Sequence, residues 1–333
     1  MKKTLVAIMF LMLALSAAQA QKLTGAGATF PYPIYSKWFS EYSAAHPGVQ
    51  VNYQSIGSGG GIAQVTKGLV DFGASDMPMT NEMLAASKIK LIHIPTVLGA
   101  DVPAFNVPGV SELRFSGDVL ADIFLGKITT WADPRIAKDN PGVKLPDQKI
   151  IVVHRAEGSG TTFIWTDYLS KVSTEWAGGP GKGSSISWPV GVGGKGNEGV
   201  AGLIRQLPGS IGYIELIYAL QNHINFGAVK NVSGNYIKAT IQGVTDAAAS
   251  VKNMPADYRI SITNAPGATA YPISSFTYLL IPAQPINPAN QKTLKDMLSW
   301  MVNSGEGEVS SLSYAPLPSN LAQKVLKTIY ALP

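Results

Sequence analysis

Apolar residues recur along this chain in short bursts that switch between two periods. Tyr35, Trp38, Phe39 and Tyr42 stand at i, i+3, i+4 and i+7, one face of a helix entered near Pro31. Proline suits a first helical turn because its missing N–H has no partner there. His46-Pro47-Gly48 closes that helix, and Val49, Val51 and Tyr53 then alternate as a strand. Ile62, Val65 and Leu69 give a second helical face, and residues 72–75 a short strand ending at Asp76. Residues 90–97 and 102–107 read as two further strands. Val119, Leu120, Ile123 and Phe124 predict a helix with Ser116 at its cap. A buried-type strand at 149–153 runs into a helix carrying Ile164, Tyr168 and Leu169. Val200, Leu203, Ile204 and Leu207 form another helix, and 276–281 a strand. Leu294, Met297, Leu298 and Met301, then Leu321, Val325 and Ile329, predict the closing helices. Strands alternating with helices imply an α/β fold with mostly parallel sheets.

Three glycine-rich segments sit where such strands feed helices: TGAGATF (24–30), IGSGGG (56–61) and RAEGSGTT (155–162). In parallel α/β sheets ligands bind beyond the carboxyl ends of strands. Loops of this kind point free N–H groups and the positive end of a helix dipole at one spot. Three of them suggest one anion held from several sides. In the third, Arg155 adds a guanidinium fork able to pair with two oxygens, and Ser159, Gly160 and Thr161 add hydroxyls and N–H groups. Thr29, the Phe30 N–H and Ser58 supply donors from the other two. Plainer readings stand beside these: Thr29 as a helix N-cap, the Ser58 loop as a turn, Arg155 in an ordinary ion pair with Glu157, and Asp76 as a capping residue. Beside an anion Asp76 is repulsive unless the ligand carries a proton, because an ionised carboxylate only accepts hydrogen bonds. Phosphate has that proton at neutral pH and sulfate does not.

Composition narrows the class. Lys2 and Lys3, an apolar run at 5–15 and Ala18-Gln19-Ala20 read as a secretory signal peptide over 1–20, with cleavage expected after Ala20. The chain has no cysteine. An exported protein without disulfides must rely on its core, and the residue that would carry a lipid anchor is missing. A soluble protein of the periplasm is expected. Lysine plus arginine total 26 against 21 acidic residues, a formal +5 spread along 333 residues. That excludes the dense basic patch of a nucleic-acid binder. Enzyme patterns fail: no GxxxxGK[ST], GxGxxG or GxSxG is completed, and His46, His93, His154 and His223 lack metal-ligand spacing. No cofactor, metal or catalytic residue is expected.

Taken in order, TGAGATFPYPIY, YQSIGSGGG, VDFGASDMP, VVHRAEGSGTTF, WPVGVGGKGN and LPGSIGY resemble the periplasmic phosphate-binding proteins of high-affinity phosphate ABC transporters, over essentially the whole chain beyond the leader. The resemblance implies a two-lobed periplasmic-binding-protein fold of type II, each lobe a mostly parallel sheet flanked by helices, joined by two extended crossovers and closing like a hinge. Lobe one would comprise 21–104 and 274–333, and lobe two 105–273, with phosphate in the cleft. Thr29, Phe30, Ser58, Arg155, Ser159, Gly160 and Thr161 would donate to phosphate, and Asp76 would accept its proton. An inner-membrane ABC permease is the implied partner, and a monomer the implied state. Two alternatives remain at this point: a phosphatase using Ser159 or Thr161 as nucleophile, and a receptor for sulfate or molybdate. Two residues depart from the family pattern: Glu157 stands where an aspartate is usual beside the arginine, and His154 where a second basic residue is common. The segment 188–197 is expected outside the ligand shell, in a structural or inter-lobe role.

Overall fold

The computed structural model describes residues 21–333, so the leader read at 1–20 lies outside the described residues. The strands are β1 (Gln21–Gly27), β2 (Val49–Ser55), β3 (Phe72–Ser75), β4 (Leu91–Asn106), β5 (Arg114–Phe115), β6 (Ile151–Arg155), β7 (Val192–Gly194), β8 (Ser210–Glu215), β9 (Asn225–Phe226), β10 (Ala228–Lys230), β11 (Tyr236–Ile237) and β12 (Ser274–Pro282). The helices are α1 (Tyr32–Ala45), α2 (Ser58–Thr66), α3 (Asn81–Ala86), α4 (Gly117–Phe124), α5 (Pro134–Asp139), α6 (Gly160–Val172), α7 (Thr174–Gly178), α8 (Gly196–Gln206), α9 (Leu216–Gln221), α10 (Ile241–Ala249), α11 (Gln291–Asn303) and α12 (Ser319–Tyr330).

The main strands run in the order β2-β1-β3-β12-β4-β8-β6-β7. Both wings are parallel: β1 with β2 and β3, and β6 with β7 and β8. The middle is antiparallel, where β12 joins β3 to β4 and β4 joins β8. Strand β4 changes partner along its length. Leu91–Ala100 pairs with β12, and Asp101–Asn106 pairs with β8. The two strands expected at 90–97 and 102–107 are therefore one continuous strand serving both halves of the sheet. The apolar run is unbroken because β4 is buried over nearly all of its length.

Helical periodicity carried through to packing. Tyr35, Trp38, Phe39 and Tyr42 are all buried on α1, and Tyr35 and Phe39 pack against Tyr53 of β2 with ring centroids 5.7 and 5.8 Å apart. On the other wing Trp165 of α6 stacks on Tyr213 of β8 at 5.2 Å. Burying rings of this size supplies much of the stabilisation that a chain without disulfides needs. Two local expectations are corrected. Leu69 lies beyond the end of α2, past Gly68 at φ +68°, and is 66% exposed instead of facing the core. Ser116 precedes α4, yet its hydroxyl does not cap the helix: Oγ and N–H both donate to Asp139 Oδ2 at 2.7 Å. Among the described residues no helix is long and apolar enough to cross a membrane.

Candidate functional site

The three glycine loops follow β1, β2 and β6 at their carboxyl ends and meet. Gly59 N–H donates to Gly158 O at 2.9 Å, joining the second loop to the third. Gly57 sits at φ +86°, and a Cβ there would lie 2.7 Å from Gly158 O. Only glycine allows both the backbone sign and the approach. Thr29, Ser58, Asp76, Arg155, Ser159 and Thr161 are all buried around this junction.

The hydroxyls of Ser159, Thr161 and Thr29 each accept from a structural donor. Ser159 caps α6, its Oγ accepting from Thr162 N–H at 3.1 Å. Thr161 Oγ1 accepts from Arg155 Nη1 at 3.1 Å and Asn197 Nδ2 at 3.2 Å. Thr29 Oγ1 accepts from Asn197 N–H at 3.2 Å and Nδ2 at 2.8 Å. A hydroxyl with its acceptor sites used still has one proton to give. Three such protons, and the Gly160 and Thr161 N–H groups that a first helical turn leaves without intrahelical partners, are donors available at this junction. Thr29 does not cap α1, whose N-cap position is held by Pro31.

Arg155 ends β6, and its guanidinium is buried. Its Nε donates to Glu157 Oε1 at 3.0 Å, and Nη2 also contacts that oxygen. Glu157 Oε1 further accepts from Gly196 N–H at 3.0 Å. The ion pair read from the sequence is thus present, and it orients the guanidinium toward Thr161. Glu157 Oε1 thereby joins Arg155 to the first residue of α8. His154 does not add a positive charge: its ring stacks on Trp188 at 4.8 Å, and burial lowers its pKa.

Asp76 follows β3 and is 1% exposed. Oδ1 accepts from Thr277 Oγ1 at 2.7 Å, Oδ2 from Ser58 Oγ at 3.3 Å, and its N–H donates to Ser58 Oγ at 3.2 Å. It therefore caps no helix. Burial pushes its pKa up to about 7, opposed by the Thr277 hydrogen bond, the Arg155 charge and the Ser58 hydrogen bond. A Cβ on Gly160 would lie 2.5 Å from both Asp76 Oδ2 and Ser58 Oγ. Gly160→Ala is expected to weaken ligand binding by roughly 10- to 100-fold and to lower thermal stability as well, since overpacking costs about 1–3 kcal/mol. Titration calorimetry with a melting curve checks it; an unchanged Kd refutes the close approach.

The sequence reading missed several participants. Asn197, at the start of α8, hydrogen-bonds Thr29 and Thr161 together and accepts from Glu215 N–H at 2.9 Å. That bears on the 188–197 segment, whose last residue is built into the site's framework. The N-terminus of α8 is a fourth helix start at a junction where the sequence displayed three. Thr277 of β12 and Tyr213 of β8, whose hydroxyl accepts from Arg155 N–H at 3.1 Å, lie in ordinary strand sequence and carried no signal.

A fold with parallel wings, one central strand shared between halves, and polar glycine loops meeting between them defines a periplasmic-binding-protein architecture. A family model for a PBP superfamily domain matches residues 14–305. The chain is 46% identical to the phosphate-binding protein PstS of Pasteurella multocida, covering 96% of this chain and 93% of that protein. It is 42% identical to PstS of Haemophilus influenzae, with 92% of each covered, and 38% identical to PstS of Methanocaldococcus jannaschii, with 91% and 84% covered. The fold is also that of a periplasmic phosphate-binding protein, PfluDING, solved with bound phosphate: TM-score 0.74 at 22% identity, covering 92% of this chain and 93% of that one. The chain belongs to the PstS family of phosphate-binding proteins.

Proposed function

We propose that this protein binds inorganic phosphate in the cleft where its three glycine loops meet and delivers it to an ABC-type import permease. The observation that carries the reading is one buried carboxyl, Asp76, set among a buried guanidinium and the buried hydroxyls of Thr29, Ser159 and Thr161. Thr29, Phe30, Ser58, Arg155, Ser159, Gly160 and Thr161 are the donors in this reading, and Asp76 is the acceptor. With its pKa near 7, Asp76 and the ligand need only one proton between them, which phosphate supplies at neutral pH.

The lobes follow as 21–104 with 274–333, and 105–273. The change of partner in β4 between Ala100 and Asp101 supports a hinge in this neighbourhood. A monomer in the periplasm, exported by a leader cleaved after Ala20, completes the reading. A phosphatase is less well served, because Glu157 is committed to Arg155 and the Gly196 N–H, and His154 to stacking on Trp188. Neither of the two bases adjacent in sequence is thus free to activate Ser159 or Thr161.

Thermal shifts with phosphate, arsenate and sulfate test the assignment. A ligand at a thousand times its Kd stabilises the native state by about 4 kcal/mol. A large upward shift is expected with phosphate and almost none with sulfate at equal concentration and neutral pH. Equal shifts would overturn the phosphate assignment.

A further inference from the structure

Behind the donor set lies a second pair of carboxyl groups that phosphate contact does not use. Asp101 of β4 stands directly opposite Glu215 of β8 in the antiparallel register, so both side chains project from the same face. Both residues are 0% exposed. Neither Asp101 oxygen, nor Glu215 Oε1, has a hydrogen-bond partner among the described residues. Glu215 Oε2 accepts from Ile217 N–H at 2.7 Å. The backbone of Asp101 is fixed at the point where β4 leaves β12 for β8: its N–H donates to Ile273 O at 2.9 Å, and its carbonyl accepts from Tyr271 Oη at 2.8 Å.

Charged and titratable neighbours come from both halves of the molecule. Asp76, Arg155, Tyr213, Tyr218, Tyr271 and Tyr314 lie close enough to couple electrostatically to one or other member of the pair. Arg155 is the one cation among them, and it is held by Glu157. An ionised carboxylate buried without donors costs several kcal/mol, and such a group takes a proton instead.

We propose that Asp101, opposite Glu215, is a proton-uptake site of the hinge: shutting the lobes over phosphate places a proton on this carboxyl. The inference rests on the phosphate reading above. Burial, then repulsion from Asp76 and Glu215, raises the Asp101 pKa, against the opposing pull of Arg155. In an open hinge, water reaches the crossover and the carboxyl returns toward its ordinary range. A pKa higher in the closed state than in the open one fixes the sign. Closure has its full advantage below the open-state pKa and loses it as pH rises through the closed-state pKa. Phosphate affinity therefore falls with rising pH, by up to tenfold per pH unit for one proton taken up.

Titration calorimetry of phosphate, from pH 5 to 9 and in buffers of different ionisation enthalpy, reads the protons taken up per phosphate bound. Phosphate's own titration is common to wild type and variants, so it cancels in the comparison. Asp101→Asn, which keeps the shape and removes the titration, is expected to take up about one proton fewer and to flatten the affinity profile. Glu215→Gln is the second variant, expected to shift the same limb, and it serves where Asp101→Asn fails to fold. Uptake and profile matching wild type in whichever variants fold overturn the inference while leaving phosphate binding intact. Absence of phosphate binding by wild type at every pH overturns the underlying reading instead.

Discussion

Arg155→Ala should weaken phosphate binding on the order of a thousandfold. The guanidinium is the one cation among the buried donors, and it faces Thr161 from the end of β6. Removing one member of a buried charge pair costs about 3–5 kcal/mol, because the partner is left uncompensated. Here the abandoned partners are Glu157, reduced to the Gly196 N–H at 3.0 Å, and Asp76, whose ionised form Arg155 favours. A dianion entering that cleft would meet two carboxyls and no positive charge. Arg155→Lys should recover only part of the loss. An ammonium is a point charge that cannot hold Glu157 and Thr161 in a planar fork while also addressing the ligand. Calorimetric Kd values for the three proteins, with circular dichroism to confirm folding, decide the matter. A loss smaller than tenfold in Arg155→Ala would remove the guanidinium from the centre of the site.

The junction was legible where a local rule generates it. Gly158-Ser159-Gly160-Thr161 after an apolar strand is a capped helix start, and capping is a matter of a few adjacent residues. The aromatic face of α1 was legible for the same reason, since a helix puts i, i+3, i+4 and i+7 together. What the sequence concealed depends on strands distant in the chain. Thr277 meets Asp76 only because β12 inserts between β3 and β4. Tyr213 reaches Arg155 only because β8 lies beside β6. Asn197 stood within a conspicuous motif, yet its contact with Thr29 spans 168 positions. The unbroken apolar run of β4 hid its change of partner for a different reason. A strand buried on both faces has no polar alternation to mark where one sheet half ends and the next begins.

Asp76→Asn should narrow the preference for phosphate over sulfate by about two orders of magnitude at neutral pH. In the proposed site the wild-type carboxylate accepts the ligand's proton, and a charged hydrogen bond of this kind contributes about 1.5–3 kcal/mol. Sulfate offers no proton, so its oxygens oppose Asp76 oxygens in a buried site where solvent screening is weak. Asparagine keeps an acceptor for Thr277 and turns an amide donor toward the ligand. Sulfate then gains a hydrogen bond, while phosphate exchanges one arrangement for another. The same logic sets a pH dependence. Burial lifts Asp76 from its ordinary 3.8 to about 7, so acidification gives wild type a carboxylic acid that can donate to sulfate. Wild-type discrimination is therefore expected to erode as pH falls below about 7, whereas that of Asp76→Asn stays flat. The raised pKa also fixes the stability of the ligand-free protein. The folded state holds this proton more tightly than the unfolded chain does. Its contribution is complete below the ordinary carboxylate range and is lost as pH rises through about 7. Competition between phosphate and sulfate from pH 5 to 8, with ligand-free melting curves at the same pH values, measures both effects. Discrimination that is equal in wild type and variant, and equally insensitive to pH, would mean that the selectivity arises elsewhere in the cleft.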